Sequence, residues 1–473
     1  MKNKNVILLA MMGGTLIPLH AQKQQKMNVL FIMADDMNNN LGCYGHYIAQ
    51  TPNLDRLAKQ GLLFSHSYCQ LPLSGPSRAS LLTGMRASTL NVLVNETEFR
   101  STYPDAVTLP QLFMKNGYFV GRVGKLYHYG VPGEIGTDGH DDTLSWQKRV
   151  NPKGRDKSDE NMVINYTPDK GLGVAAAFLA AEGSDLEQTD GIIATETIKM
   201  LSENKDKSFF IAAGFFRPHC PYIAPKKYFD LYPLDLIRVA ENPEDDLKDI
   251  PALALNNGSR THALSVQQQK EIRRAYYASI SFVDAQVGRL LHALDSLGLS
   301  SNTIVVFLSD HGYSLGEHFL WQKMHLFEEA SRMPMMMYNP AIKTKNHISG
   351  QLVEMLDIYP TIADMCGLTP PSNIEGMSMK CLFEGNEKNW KKGAITEVSR
   401  PSDGKEYDKS KPNAGYAMRG RSVRTEHWRY TEWDGGKAGV ELYDHQSDPG
   451  ELINLAGKLE YADVIKELKK MLK

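Results

Sequence analysis

Cysteine is scarce in this chain. Its five cysteines, Cys43, Cys69, Cys220, Cys366 and Cys381, are too few and too odd in number for a disulfide scaffold, and none has the paired spacing of a zinc site. Cys366 and Cys381 flank an expected domain junction and could pair in an oxidising compartment, with unpaired buried thiols an equal alternative. Long apolar runs are lacking too, since nothing after the first 21 residues is apolar for long enough to cross a bilayer. Excess charge of one sign is also missing. The 53 Lys and Arg against 55 Asp and Glu leave a formal net charge of −2, which argues against a nucleic-acid partner but leaves room for a local basic pocket.

What is present begins with Lys2, Lys4, an apolar run from Val6 to Leu19, and His20-Ala21-Gln22. Together these are similar to a secretory signal cleaved after Ala21. The run is short for a membrane span, and Gln22 in place of Cys gives no lipoprotein start. The expectation is export without membrane insertion, into the periplasm if the host is a Gram-negative bacterium. At 473 residues the chain is long for one domain. The expected division is a signal peptide at 1–21, a catalytic domain at 22–370 and a C-terminal subdomain at 371–473.

The apolar run Asn28 to Ala34 predicts a buried parallel strand, and Thr51 to Gly61 its returning helix. The alternation recurs, with helices at Thr108 to Asn116, Gln188 to Glu203 and Gln267 to Leu297, and strands at Tyr118 to Val123, Ser208 to Phe215 and Thr303 to Leu308. This predicts an α/β fold, a large, mostly parallel sheet with helices on both faces, in which ligands bind beyond the carboxyl ends of the strands. Met333 to Met337 reads as a further core strand. Polar stretches at 132–173 and 235–262 read as loops over the sheet edge. After about Pro370, short strands at Ala394 to Val398, Ser422 to Trp433 and Glu441 to Tyr443, then a helix from Tyr461, predict a small antiparallel domain.

Asp35-Asp36, Lys125, His219 and Asp310-His311 each lie just past a predicted strand, so the fold would gather them at one edge. Between the first two stands Ser74-Gly75-Pro76-Ser77-Arg78-Ala79-Ser80-Leu81-Leu82-Thr83-Gly84, and later come Gly124-Lys125-Leu126-Tyr127-His128 and Ser309-Asp310-His311-Gly312. In this order the four motifs resemble the type I sulfatases. Arg217-Pro218-His219, the helix YYASISFVDAQVGRLLHALDSL, the stretch SDHGYSLGEHFLWQK and the closing ELYDHQSDPGELINLA are most similar to the iduronate-2-sulfatase branch, over about Asn28 to Asn454.

That resemblance implies the alkaline-phosphatase-like sulfatase fold and hydrolysis of sulfate esters on glycans, with 2-O-sulfated uronates of glycosaminoglycans as the leading class. It implies that Ser74 is oxidised to formylglycine, 3-oxoalanine, by a serine-type maturase that reads Pro76 and Arg78. One hydroxyl of the aldehyde hydrate attacks sulfur and the other later loses its proton to expel sulfate, so the nucleophile resets itself. It further implies one Ca²⁺ held by Asp35, Asp36, Asp310 and His311, with Ser74 as a further ligand, an oxygen-rich set suited to a hard cation. Arg78 and Lys125 would hold nucleophile and sulfate, His128 would take a proton from the hydrate, and His219 and Lys323 would meet the sulfate and the leaving oxygen, with His219 as general acid.

Read without the resemblance, Ser74 could be a helix cap, the acidic pair a helix cap or solvated turn, His219 a turn residue and Lys323 a surface charge. Other sulfated polysaccharides, galactans or hexosamine sulfates, are alternative substrates. A phosphatase or phosphodiesterase of the same fold and an inactive sugar-binding protein are the competing classes.

Overall fold

The computed structural model describes residues 26–255, 263–344, 347–401, 413 and 415–472. The expected signal peptide, and part of the 235–262 stretch, lie outside the described residues.

An eight-stranded sheet forms the centre, in the order Ile348–Glu354, Leu62–Tyr68, Met335–Tyr338, Thr303–Ser309, Asn28–Asp35, Phe209–Pro218, Phe119–Gly124 and Lys148–Val150. Every strand runs one way except Met335–Tyr338, which pairs antiparallel with both neighbours. Side chains of a strand alternate between faces, and both faces here are covered. Leu30, Ile32 and Ala34 of the central strand enter one core, while Val29, Phe31 and Met33 enter the other. That double burial is why the strand reads as an unbroken apolar run.

Helices Pro52–Gln60, Thr189–Glu203 and Val266–Ser296 cover the first face, and helices Ser74–Thr83, Leu109–Lys115 and Ile358–Met365 cover the second. Their starts are written locally. Thr108 with Gln111, and Ser265 with Gln268, form reciprocal capping boxes. Asp284 of the long helix accepts from the Asn53 and Leu54 amides, at 3.1 and 2.8 Å, and so caps the first helix from a distance. Among the described residues no helix is long and apolar enough to cross a membrane.

The predicted elements stand within a few residues of their expected bounds, with two corrections. The 132–173 stretch, read as loop, supplies the main sheet's edge strand Lys148–Val150 and the short helix Arg155–Ser158. Ser422 to Trp433 is two strands, Tyr416–Arg424 and Trp428–Trp433, because the chain reverses at Thr425, whose hydroxyl accepts from the Trp428 amide at 2.9 Å. With Ala394–Pro401 and Val440–Asp444 they make a four-stranded antiparallel sheet, followed by the helix Ala462–Met471. This sheet joins the main body through Glu397 N–H to Gln70 O and Thr396 Oγ1 to Cys69 O, both 2.8 Å. Cys366 and Cys381 are not bonded to each other, and both are free thiols.

Candidate active site

Five parallel strands deliver their carboxyl ends to the same edge, and each hands over a polar residue there. Asn28–Asp35 gives Asp35 and Asp36, Phe119–Gly124 gives Lys125, Phe209–Pro218 gives His219, and Thr303–Ser309 gives Asp310 and His311. Leu62–Tyr68 leads into the helix that begins at Ser74. Ser74, Asp35, Asp36, Arg78, Lys125, Asp310 and His311 are buried almost completely, and His219 and Lys323 are 6% exposed. Burial of this kind excludes the readings of a solvated turn and a surface charge.

Ser74 is the first residue of its helix rather than its cap, which is Leu73 and gives no side-chain bond. Its hydroxyl lies 3.3 Å from Asp35 Oδ1 and 3.3 Å from His311 Nε2. Gly75 is required beside it, because a Cβ there would stand 2.7 Å from the Asn95 Cα. Four residues on, one turn of helix away, Arg78 donates to Asp35 Oδ1 at 2.9 Å, Asp310 Oδ2 at 3.0 Å, and the carbonyls of Lys125 and Leu126 at 2.8 and 3.2 Å. Lys125 Nζ reaches Asp35 Oδ2 at 2.6 Å, and Lys323 Nζ contacts Asp36 Oδ1. Gly124 makes the Lys125 turn possible with a φ of 76°, and a Cβ there would lie 2.2 Å from the Gly214 carbonyl.

Asp36 sits at a φ of 64°, and its amide donates to Asp310 Oδ1 at 3.0 Å. The long helix braces this turn, since Tyr276 Oη donates to the Asp36 carbonyl at 2.7 Å and accepts from the Asn38 amide at 2.8 Å. On the next strand, Arg217 donates to the carbonyls of His219 and Pro221 at 3.0 and 2.9 Å and to Asp156 at 3.0 Å. Asp156 escaped sequence reasoning because it lies in the polar 132–173 stretch with no motif of its own, while Tyr276 opens the YYASISF motif of the long helix with nothing there to mark its bond to the Asp36 turn.

The two site histidines have their tautomers set by carbonyls, which can only accept. His219 Nδ1 meets Cys220 O at 2.6 Å and His311 Nδ1 meets Gly312 O at 2.8 Å, so each carries its proton on Nδ1. Each then turns Nε2 inward, His219 to 3.6 Å from Asp36 Oδ2, and His311 to 3.3 Å from Asp36 Oδ1 and 3.5 Å from Asp310 Oδ2. Burial lowers His219 to about 4 against the pull of Asp36, and burial likewise lowers His311, so both are neutral near pH 7. Burial, then Lys125, Lys323 and Arg78, hold His128 well below the usual imidazole range. For Asp35, Asp36 and Asp310 the desolvation cost is outweighed by the facing cations and imidazoles, and all three stay below the ordinary carboxylate value.

Three carboxylates, Asp35, Asp36 and Asp310, therefore face three cations, Arg78, Lys125 and Lys323. Asp36, Asp310 and His311 place one ligand atom each within 4.8 Å of one another, and Asp36 Oδ2 is buried with no hydrogen-bond partner. An orphaned carboxylate oxygen beside an imidazole lone pair fits a divalent cation. Bound there, it would leave an excess of positive charge for an anionic ester to meet. Asp35 is committed instead to Arg78, Lys125 and the Ser74 hydroxyl. His128 makes no hydrogen bond to Ser74 among the described residues. It lines a cavity of about 340 Å³ that opens onto Gly75 and Ala79 of the Ser74 helix.

A buried hydroxyl, three clustered carboxylates and three facing cations at the carboxyl edge of the sheet define a site for an anionic ester on the alkaline-phosphatase-like fold. The chain belongs to the sulfatase family, whose model, described as Sulfatase, matches residues 27–368. A second model, N-sulphoglucosamine sulphohydrolase, C-terminal, matches residues 316–473. A sulfatase of Formosa agariphila is 33% identical, covering 94% of this chain and 86% of the relative. Human iduronate 2-sulfatase is 31% identical over 93% of both chains. Among solved structures, the phosphonate monoester hydrolase of Agrobacterium radiobacter has the same fold, with a TM-score of 0.77 and 24% identity over 94% of this chain and 95% of that one. The protein is a sulfuric ester hydrolase.

Proposed function

We propose that the chain removes 2-O-sulfate from uronic acid residues of glycosaminoglycan oligosaccharides, with Ser74, matured to formylglycine, as the nucleophile position. The observation that carries the reading is the placement of Ser74 Oγ 3.3 Å from both Asp35 and His311, inside a charge-balanced, buried set. The likeness to human iduronate 2-sulfatase over 93% of both chains supports the uronate class.

Asp36, Asp310 and His311, with Asp35 and the Ser74 position adjoining, would hold a Ca²⁺ ion. Such an ion supplies Lewis acidity that neutralises sulfate oxygens and helps the nucleophile ionise. Formylglycine at Ser74 supplies a hydrate hydroxyl able to attack sulfur without forming a dead-end ester. Arg78 and Lys125 fix the Asp35 carboxylate that faces this hydroxyl, so the nucleophile is oriented before substrate arrives. Lys125 and Lys323 also bring positive charge to where sulfate charge builds. His219, neutral and tethered through Nδ1, turns Nε2 inward beside Asp36; once it has collected a proton it can pass that proton to the leaving alcohol. His128, also neutral, has a free Nδ1 that can accept a proton at the nucleophile's edge of the cavity.

The same reading carries a serine-type maturase as partner and export to the periplasm. Its test is sulfate release from an unsaturated 2-O-sulfated uronate disaccharide by protein co-expressed with such a maturase. Release that is lost in Ser74→Ala supports it. No release from protein whose Ser74 peptide is shown by mass to be oxidised refutes the uronate assignment and turns the search to 6-O-sulfated hexosamines and sulfated galactans.

A further inference from the structure

The cavity beside Ser74 has walls whose charges are unequally spent. Arg100 donates to both Asp142 oxygens at 2.6 and 2.7 Å, to the carbonyls of Pro104 and Ala106, and to Gln111, so its guanidinium is fully occupied. Asp141 is likewise taken by Arg122 at 2.7 Å and by the Trp146 indole at 3.2 Å. Glu98 differs. It lines the same cavity, is exposed to it, and among the described residues its carboxylate meets neither a cation nor a hydrogen-bond donor. The cavity thus carries one unbalanced negative charge a short way from a centre built to take an anion.

At about 340 Å³ the cavity lies at the small end of ligand sites, which run from about 300 to 1,000 Å³, and is suited to one sugar unit. Its other polar lining groups are Asn95, whose Oδ1 is held by the Gly75 amide at 2.8 Å, Thr97, Thr143, Tyr127, His128 and His140. Such a lining suits hydroxyl and amide groups. In a 2-O-sulfated uronate the ring positions next to the ester are C3 and C1, and C1 bears the link to the neighbouring hexosamine. The C5 carboxylate lies across the ring.

We propose that this cavity seats the neighbouring hexosamine and that Glu98 is a specificity-determining residue, accepting from its hydroxyl or amide groups and disfavouring a second sulfate on that sugar. The proposal rests on the glycan-sulfatase reading above and names which sulfation pattern the enzyme selects. A unit charge placed against an unpaired carboxylate at a partly exposed site is worth about tenfold in binding or more.

The experiment compares two disaccharides with the same 2-O-sulfated uronate, one with an N-acetylated hexosamine and one with an N- and 6-O-sulfated hexosamine. Hydrolysis of a small aryl sulfate serves as reference. Wild type should favour the N-acetylated form by about tenfold in kcat/KM, less at high salt because exposed charges are screened. Glu98→Gln should bring the ratio near one and Glu98→Lys should invert it, with aryl sulfate turnover unchanged in both. A ratio within twofold in wild type, or one unmoved by either variant, overturns the proposal. Competition against the aryl sulfate gives the same ratio as inhibition constants even if neither disaccharide is cut. No cleavage with a ratio that shifts in the variants refutes the uronate reading while Glu98 stands.

Discussion

Replacing Arg78 tests whether the site is held together by matched burial of charge. Its guanidinium is inaccessible to solvent and spans Asp35, Asp310 and two backbone carbonyls with four hydrogen bonds of 2.8 to 3.2 Å. Arg78→Ala leaves two buried carboxylates short of a partner, and breaking one buried pair in this way costs about 3–5 kcal/mol. Arg78→Lys keeps the charge but not the fork, since one ammonium cannot reach both carboxylates and both carbonyls. Losing two of the four bonds should cost about 1–3 kcal/mol. For a chain of this length 1 kcal/mol corresponds to roughly 1 °C in Tm, so denaturant midpoints are the better assay. Sulfate release should fall by about 10²–10³ in the lysine variant, the scale of one lost oriented donor, and further in the alanine variant. The alanine deficit should shrink in excess Ca²⁺, because a bound cation can meet the stranded carboxylates. An Arg78→Lys protein with wild-type stability and more than a tenth of wild-type kcat/KM would refute the reasoning.

Chelation should abolish sulfate release and lower the denaturation midpoint, with Ca²⁺ restoring both; Asp310→Asn should lose the restoration, as calcium titration followed by heat scanning would show. At the seam with the C-terminal sheet, His318 is raised to about 9 because Asp246 and Glu329 outweigh burial, and burial raises Glu329 to about 8. Both folded values lie above the unfolded ones, so the stability they contribute is present below about pH 4.5 for Glu329 and pH 6.5 for His318 and is lost as pH rises through 8 and 9. Urea midpoints should therefore fall from pH 6 to pH 9, and Glu329→Gln should flatten that slope.

Much of this architecture was legible because double burial writes itself as apolar runs, as in Asn28–Asp35 and Thr303–Ser309, both buried along their whole length. Ile348–Glu354, at the sheet's edge and half exposed, is polar enough to hide, and nothing in Leu62–Tyr68 distinguishes it from a loop between two helices. The antiparallel direction of Met335–Tyr338 is likewise a property of its neighbours rather than of its residues. Within the site, Ser74 and Arg78 are one helical turn apart and the acidic pair follows a strand directly, so their geometry is local. Lys323 is different. It is presented by a turn in which Gln322 and Met324 have φ of 73° and 74°, conformations that no nearby glycine announces. Glu98 and His140 line the cavity from separate loops with no period or motif to connect them.

The site's charges are arranged so that chemistry and stability cannot be perturbed separately. Asp35 is shared by Arg78, Lys125 and the nucleophile hydroxyl, and Asp36 by Lys323 and two imidazoles. Removing one member strands a charge that the interior cannot solvate, so a drastic substitution will report folding before catalysis. A conservative change at an acceptor rim, Glu98→Gln above all, strands nothing, because that carboxylate has no partner among the described residues. The walls of the cavity, rather than its floor, are therefore where substrate choice can be altered without cost to the fold. They are also where sulfatases with the same buried floor can come to differ in the sugars they accept.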